Sequence, residues 1–289
     1  MLKSISYLWN DAAVEPRSRG CATTMHELTP TEQEQMARDG YVVREGVFTA
    51  DEVAQMITAS EELIAGLVES KRGRRFNVGS YVFEPDALQD VMLKWEGDTD
   101  ELHGIEPFAH LSPELEKWGL DPRFIEPMAS FVGDDHPVLY TEKLNLKRPQ
   151  VGGPNPLHQD FPYWIDSTPH ADRIATAIVY LDDTTTANGC LEVVPGSHTA
   201  GRHATRTDSD AFGSLEMDPE ANAHMERVAV ELPAGSVVMF GAFLAHATGP
   251  NTSDTQRRAL LYSYQPNGHE HSLEELRRFF KPLKPAQAD

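Results

Sequence analysis

Cysteine is scarce in this chain, with Cys21 and Cys190 the only two among 289 residues. Two thiols make neither a disulfide framework nor a thiolate zinc site. Such usage fits a reducing cytoplasm, where the protein is expected to reside. Long apolar runs are lacking too. No stretch approaches the roughly 20 residues of a membrane helix, and the N-terminus has no signal-peptide core, so no membrane association is expected. Basic charge is in deficit, with 25 Lys and Arg against 45 Asp and Glu, a formal net charge of -20. A field of that sign repels phosphate backbones, which excludes nucleic acid as an expected partner. Acidity alone names no substrate, because a solvated acidic surface accounts for it equally well. Internal repeats and low-complexity tracts are also missing, which excludes solenoids and fibrous arrays.

What is present is enough apolar content, 40% of residues, for a sizeable core. Residues 1–27 read as an unstructured leader, and Met25 offers an alternative start. Thr29-Pro30 followed by Glu32 opens a first helix that Gly40 ends. Tyr41–Val43 reads as a short strand. Thr49 and Glu52 form a capping box for a second helix reaching about Ser70. Residues 28–136 are expected to be helical support and substrate-side segments, with short helices near Pro85–Val91 and Pro122–Val132.

From Pro137 the pattern becomes one of strands between turns: Val138–Leu146, Ile174–Leu181, Leu191–Val194, Val228–Leu232, Val237–Phe240 and Ala259–Tyr264. Asn188-Gly189, Pro195-Gly196 and Pro233-Ala-Gly235 are strong turn signals. Leu273–Phe280 reads as a closing helix before a short tail. Helices first and strands afterwards imply one α+β domain, mainly β, whose core over 137–266 is a sandwich or barrel. The long polar connection 198–226 is a candidate functional loop.

The segment that carries chemistry is His158-Gln159-Asp160. On a strand, residues two apart share a face, so an imidazole and a carboxylate can converge on one metal. A two-His, one-carboxylate face suits iron(II) and leaves coordination positions open. The tripeptide alone is weak, since about one match arises by chance in a chain of this composition. Indeed His170-Ala171-Asp172 is a second match, within a polar stretch that reads as a solvated loop. His246, after the strand Val237–Phe240, is the candidate third ligand. Arg257 opens the apolar strand Ala259–Tyr264. A buried arginine is costly unless it meets an anion, and its planar fork suits a carboxylate. Arg258, facing the other way, fits a strand-end salt bridge better.

These features combine into a resemblance. Lys143-Leu-Asn-Leu-Lys147, Leu157-His-Gln-Asp160, Asn188-Gly-Cys-Leu191, Val194-Pro-Gly-Ser-His198, His246-Ala-Thr-Gly-Pro-Asn251 and Arg257-Arg-Ala-Leu260 occur in this order, preceded by Asp39-Gly-Tyr-Val-Val43. Over about 28–266 the chain resembles the phytanoyl-CoA dioxygenase (PhyH-like) family of iron(II)- and 2-oxoglutarate-dependent oxygenases. The resemblance implies a double-stranded β-helix, a cupin-like jelly roll with N-terminal helices packed outside. It implies Fe(2+) on His158, Asp160 and His246, with 2-oxoglutarate and O2 as co-substrates. Arg257 would anchor 2-oxoglutarate, with Thr248 and Asn145 as further contacts. Because Asp160 stands where halogenating relatives carry a small residue, halogenation is not expected.

Other residues remain open between two readings. Trp164 is either a substrate contact or core packing. Lys143 shares a strand face with Asn145 and points either into the pocket or to solvent. Arg72, Arg74 and Arg75 form a basic cluster, either a substrate contact or a solvated helix end. His198 reads as part of a turn, His269 and His271 as surface histidines, and Cys190 as a small core residue.

The expected function is therefore a dioxygenase hydroxylating an aliphatic C–H of a small-molecule metabolite, with release of succinate and CO2. A jelly roll that only binds a small ligand or metal, or a metalloenzyme using no 2-oxo acid, would not require Arg257. The oligomeric expectation is a monomer or weak homodimer.

Overall fold

The structure is a computed structural model describing residues 25–68, 75–78, 81–97, 99–206 and 215–280. Most of the expected leader therefore lies outside the described residues. Its last residues do not behave as a free leader, because the His26 amide donates to Glu126 and Arg44 donates to the His26 and Glu27 carbonyls.

Helix α1 (Pro30–Asp39) begins with the expected cap: Thr29 accepts from the Glu32 amide, and Pro30 stands in the first turn. It ends at Gly40, whose φ of 85° is the left-handed conformation that closes a helix. A Cβ there would sit 2.4 Å from the His198 ring, so His198 is a packing residue beneath the helix end. Strand β1 (Tyr41–Arg44) follows, then α2 (Ala50–Val68), capped by the reciprocal Thr49–Glu52 bonds.

The next segment departs from expectation. Where a helix was read near Pro85–Val91, the chain forms β3 (Tyr81–Asp86), a turn, and β4 (Val91–Trp95), flanked by β2 (Phe76–Val78) and β5 (Leu102–Glu106). Val91, Leu93 and Trp95 are buried in strict alternation. The sequence Val-Met-Leu-Lys-Trp is apolar on both faces except at Lys94, which hides the period of two that marks a strand. The region expected to be helical support thus contributes five strands, β1 to β5, to the sheet, besides α3 (Pro113–Gly119) and α4 (Pro122–Val132).

Eight strands complete the core: β6 (Val138–Lys147), β7 (Asn155–His158), β8 (Ala175–Tyr180), β9 (Leu191–Val193), β10 (Val228–Val230), β11 (Val237–Gly241), β12 (His246–Thr248) and β13 (Arg257–Gln265). A one-turn helix α5 (Phe161–Trp164) follows β7, and α6 (Ser272–Phe280) closes the described chain. The strands form a nine-stranded sheet in the order β1-β11-β8-β13-β6-β5-β4-β3-β2, and a four-stranded sheet in the order β10-β9-β12-β7. All pairings are antiparallel. This is the expected jelly roll, with β6, β8, β11 and β13 facing β7, β9, β10 and β12.

The large sheet is buried on both faces. Leu260, Tyr262 and Tyr264 of β13 pack with the helices. The Tyr262 hydroxyl donates to Leu115 O at 2.8 Å and the Tyr264 hydroxyl to Gly119 O at 2.7 Å, which ties α3 to the sheet. Each such buried side chain contributes roughly 1.5–3 kcal/mol by leaving water. Ile178, Tyr180, Val238, Phe240 and Ala259 point the other way, toward Leu191 and Val193 of the small sheet. A cavity opens between the sheets at one end of this second core. The turn after β8 carries Gly189 at φ 79°, where a Cβ would lie 2.4 Å from the Gly249 carbonyl oxygen. Only glycine lets that turn pass so close beside the end of β12.

Candidate metal centre

His158 is the last residue of β7 and lies opposite His246, the first residue of β12. That register is why two histidines far apart in the sequence meet, with ring centroids 4.2 Å apart. Asp160 does not reach them by strand alternation. Its φ of -74° and ψ of -29° are helical, and it sits at the N-terminus of α5. The chain turns immediately after His158, and the turn swings the carboxylate back. Asp160 Oδ1 lies 3.8 Å from His158 Nε2 and 4.0 Å from His246 Nε2. Two atoms each roughly 2 Å from one ion are separated by at most about 4 Å, so the three groups can share a metal. Among the described residues they are the one such group of three or more candidate ligands.

The hydrogen bonds around the imidazoles settle which nitrogen faces the site. His158 Nδ1 is 2.7 Å from Pro156 O, and His246 Nδ1 is 3.0 Å from Leu244 O. A carbonyl only accepts, so each Nδ1 carries the proton and each Nε2 presents its lone pair to Asp160 and the cavity. Burial, with the adjacent His246, pushes His158 down to about 3, so it stays neutral as a ligand must.

The cavity of about 240 Å³ holds this triad together with Arg257. Arg257 is 3% exposed, and its Nε has no hydrogen-bond partner. Burial pushes its pKa down, and among the described residues it forms no ion pair; Tyr180, whose ring centroid lies 5.6 Å from the guanidinium carbon, opposes the shift together with Cys190 and Asp182. Its neighbour does the opposite. Arg258 donates to both oxygens of Asp182, at 2.9 and 2.7 Å, and to Glu61 at 3.0 Å. Strand alternation separates the two arginines as expected, one into the cavity and one under the helices.

The other candidate residues fall as follows. Asn145, Thr248, Lys143 and Trp164 all line the cavity. Thr248 Oγ1 accepts from both the Asn155 amide, at 3.2 Å, and its side-chain nitrogen, at 3.1 Å. Trp164 lines the cavity and is also buried edge-on against Tyr140 with centroids 5.8 Å apart. Lys143 points inward, 3.4 Å from Glu106. Burial would lower it, but Glu106 and Asp160 outweigh that and hold its pKa above the usual lysine value.

Arg75 is turned away, paired with Glu84 and Asp100 and lying over the Trp95 ring. Arg72 and Arg74 lie outside the described residues. His170 stacks on His269 with centroids 3.4 Å apart, away from the triad. His271 is no plain surface residue, because its Nε2 is 2.7 Å from the wholly buried Glu142. Cys190 is buried, as a small core residue should be.

Three cavity residues were not legible. Lys94 donates to Asn155 Oδ1 at 3.2 Å, and a lone lysine within an apolar strand was the available signal. Glu106 ends β5, and Glu216 pairs with His158 through an isolated bridge. Nothing in their flanking residues marked either of them.

The family model described as Phytanoyl-CoA dioxygenase (PhyH) matches residues 36–259. A phytanoyl-CoA dioxygenase of Arabidopsis thaliana is 26% identical over 252 residues, covering 80% of this chain and 87% of that protein. An ectoine dioxygenase of Sphingopyxis alaskensis is 27% identical over 241 residues, covering 78% and 72%. The crystal structure of EctD from S. alaskensis with 2-oxoglutarate and 5-hydroxyectoine superposes with a TM-score of 0.66 at 23% identity, covering 85% of this chain and 81% of that one. That likeness bears on the fold alone. The match over most of the chain, joined to the triad and the cavity arginine, identifies the protein: it belongs to the phytanoyl-CoA dioxygenase family and is a 2-oxoglutarate-dependent dioxygenase.

Proposed function

We propose that this enzyme hydroxylates an aliphatic C–H bond of a small-molecule metabolite. Iron(II) would be held by His158, Asp160 and His246, and 2-oxoglutarate by Arg257. The observation that carries the reading is one cavity holding both a two-His, one-carboxylate triad and a buried arginine without a carboxylate partner among the described residues. A buried guanidinium is stable when an anion completes it, and a carboxylate fits its fork in two parallel bonds.

Iron(II) and 2-oxoglutarate, when bound, supply the oxidation: substrate C–H, 2-oxoglutarate and O2 give substrate C–OH, succinate and CO2. The chain supplies position and shielding. The two Nδ1–H bonds to Pro156 and Leu244 fix the imidazoles with Nε2 inward. Arg257 orients the distal carboxylate of 2-oxoglutarate. Thr248 already accepts two hydrogen bonds from Asn155, so its own proton is directed to an acceptor in the cavity, the same carboxylate. Asn145 and Lys94 line the same cavity and would offer donors to the co-substrate. Tyr163, Trp164 and Phe83 line the same cavity and would help to shield it from water.

The substrate-determining walls come from two stretches, Phe83 to Glu106 and the connection that includes Glu216. The test is succinate production from 2-oxoglutarate with iron(II) and air. The wild type should form succinate slowly without a primary substrate and faster with the right one. A protein that binds 2-oxoglutarate yet never forms succinate would be a binding module, and the reading would be wrong.

A further inference from the structure

The outer half of the cavity contains an ion pair that neither the metal nor the co-substrate needs. Lys143 Nζ lies 3.4 Å from Glu106 Oε1, with the side chains 28% and 38% exposed. Both residues face the cavity. Glu106 Oε1 also accepts from the Thr141 hydroxyl at 3.0 Å, which holds the carboxylate in place while leaving the lysine as the movable partner.

The sheet register separates this pair from the co-substrate end. On β6 and β13, Arg257 is opposite Lys147, Ala259 opposite Asn145, and Leu261 opposite Lys143. Arg257 and the Lys143 level are therefore four residues apart along the strands, roughly 13 Å. A five-carbon diacid anchored at Arg257 and reaching for the triad spans less than half of that. Lys143 and Glu106 are left for whatever lies beyond it. The space is small: about 240 Å³ serves co-substrate and substrate together, below the several hundred Å³ of a site for a drug-sized ligand alone.

We propose, building on the reading above, that the primary substrate is a small zwitterion, a carboxylate and a cationic nitrogen on a short aliphatic skeleton, whose two charges insert between Lys143 and Glu106. The reason is compensation. A simple anion drawn to Lys143 would pull it from Glu106 and leave a carboxylate in the cavity without its counter-charge. A simple cation drawn to Glu106 would strand Lys143. Once a substrate fills the cavity and displaces water from this partly exposed pair, leaving one member unmatched is costly. A zwitterion replaces one loose pair by two, lysine to carboxylate and glutamate to nitrogen, and leaves neither charge alone. The aliphatic part would then lie against Leu261 and Trp164, which line the same cavity as the triad.

The test uses the full chain with iron(II) and 2-oxoglutarate and a charge-matched panel. The common aliphatic amino acids are each compared with their amides, their N-acetyl derivatives and their N-acetyl amides. These are zwitterion, cation, anion and neutral forms of one skeleton. Binding is read by thermal shift and calorimetry under anaerobic conditions, and turnover by succinate release in air. At least one free amino acid should bind roughly tenfold or more tightly than all three of its capped forms, the loss expected for one charge-assisted contact. In Lys143→Met the preference for free carboxylate over amide should collapse, while that for free amine over N-acetyl persists. Glu106→Gln should show the converse. Equal binding of all four forms, a preference for a singly charged form, or no binding by any zwitterion would overturn the proposal. So would identical selectivity changes in the two variants. Succinate formed by the wild type without any panel compound reports separately on the co-substrate reading. Its absence would defeat that reading, while the anaerobic binding comparison still decides this one.

Discussion

Replacing Arg257 by methionine should weaken 2-oxoglutarate binding while leaving the protein without co-substrate as stable as before, or more so. The buried guanidinium lacks a carboxylate partner among the described residues, and its Nε is unbonded. In the free protein it is a desolvated cation with no ion-pair partner among the described residues, and burial already pushes its pKa down. An apolar side chain of similar volume removes that penalty, for a gain on the order of 1 kcal/mol. Once 2-oxoglutarate binds, the same cation meets its anion. Losing one partner of a buried, bidentate pair costs about 3–5 kcal/mol, or roughly two to three and a half decades in Kd. Arg258→Met is the control. Its guanidinium bonds Asp182 and Glu61 on the far face of the same strand. That change should cost about 1–3 kcal/mol of folding stability and shift Kd little. Calorimetric titration of 2-oxoglutarate into the metal-loaded proteins measures the first quantity, and urea unfolding without co-substrate the second. If Arg257→Met destabilises the free protein as Arg258→Met does, and binds 2-oxoglutarate normally, then Arg257 is a core strut and the reasoning fails.

Three further outcomes are expected. His158→Ala should abolish the thermal stabilisation that added divalent metal gives the wild type, about 2.7 kcal/mol at a hundredfold excess over Kd, and a chelator should then leave the variant's Tm unchanged. Lys147 is 1% exposed and held near Gly153 O, and burial together with Arg257 lowers it to about 7. Below that pH its charge adds to the positive field around Arg257 and above it the charge is gone, so 2-oxoglutarate affinity should fall severalfold as pH rises from about 6 to 8.5, with a flatter profile in Lys147→Met. Gly189→Ala places a Cβ 2.4 Å from a backbone carbonyl at positive φ; it should cost about 2–4 kcal/mol by chemical denaturation, and a neutral outcome would show that the turn relaxes freely.

The sequence by itself determined a good deal here. The caps at Thr29 and Thr49, the six core strands and the turns at Asn188-Gly189 and Pro233-Ala-Gly235 are local signals, readable because propensity and pattern agree. The opposite facing of Arg257 and Arg258 followed from the period of a strand. Only the tertiary structure decided the rest. The strand near Val91 was hidden because Met92 puts an apolar residue on its less buried face, so the sequence lacks the period of two that the burial shows. Asp160 reaches the metal site by a helical turn after β7, not by sharing a strand face with His158, and no tripeptide distinguishes the two routes. The meeting of His158 with His246 depends on a register between β7 and β12, set by packing across 87 intervening residues of chain. Lys94, Glu106 and Glu216 gained their places in the cavity the same way. A charged residue's role depends on which wall it faces, and which wall it faces is fixed only when distant strands pair.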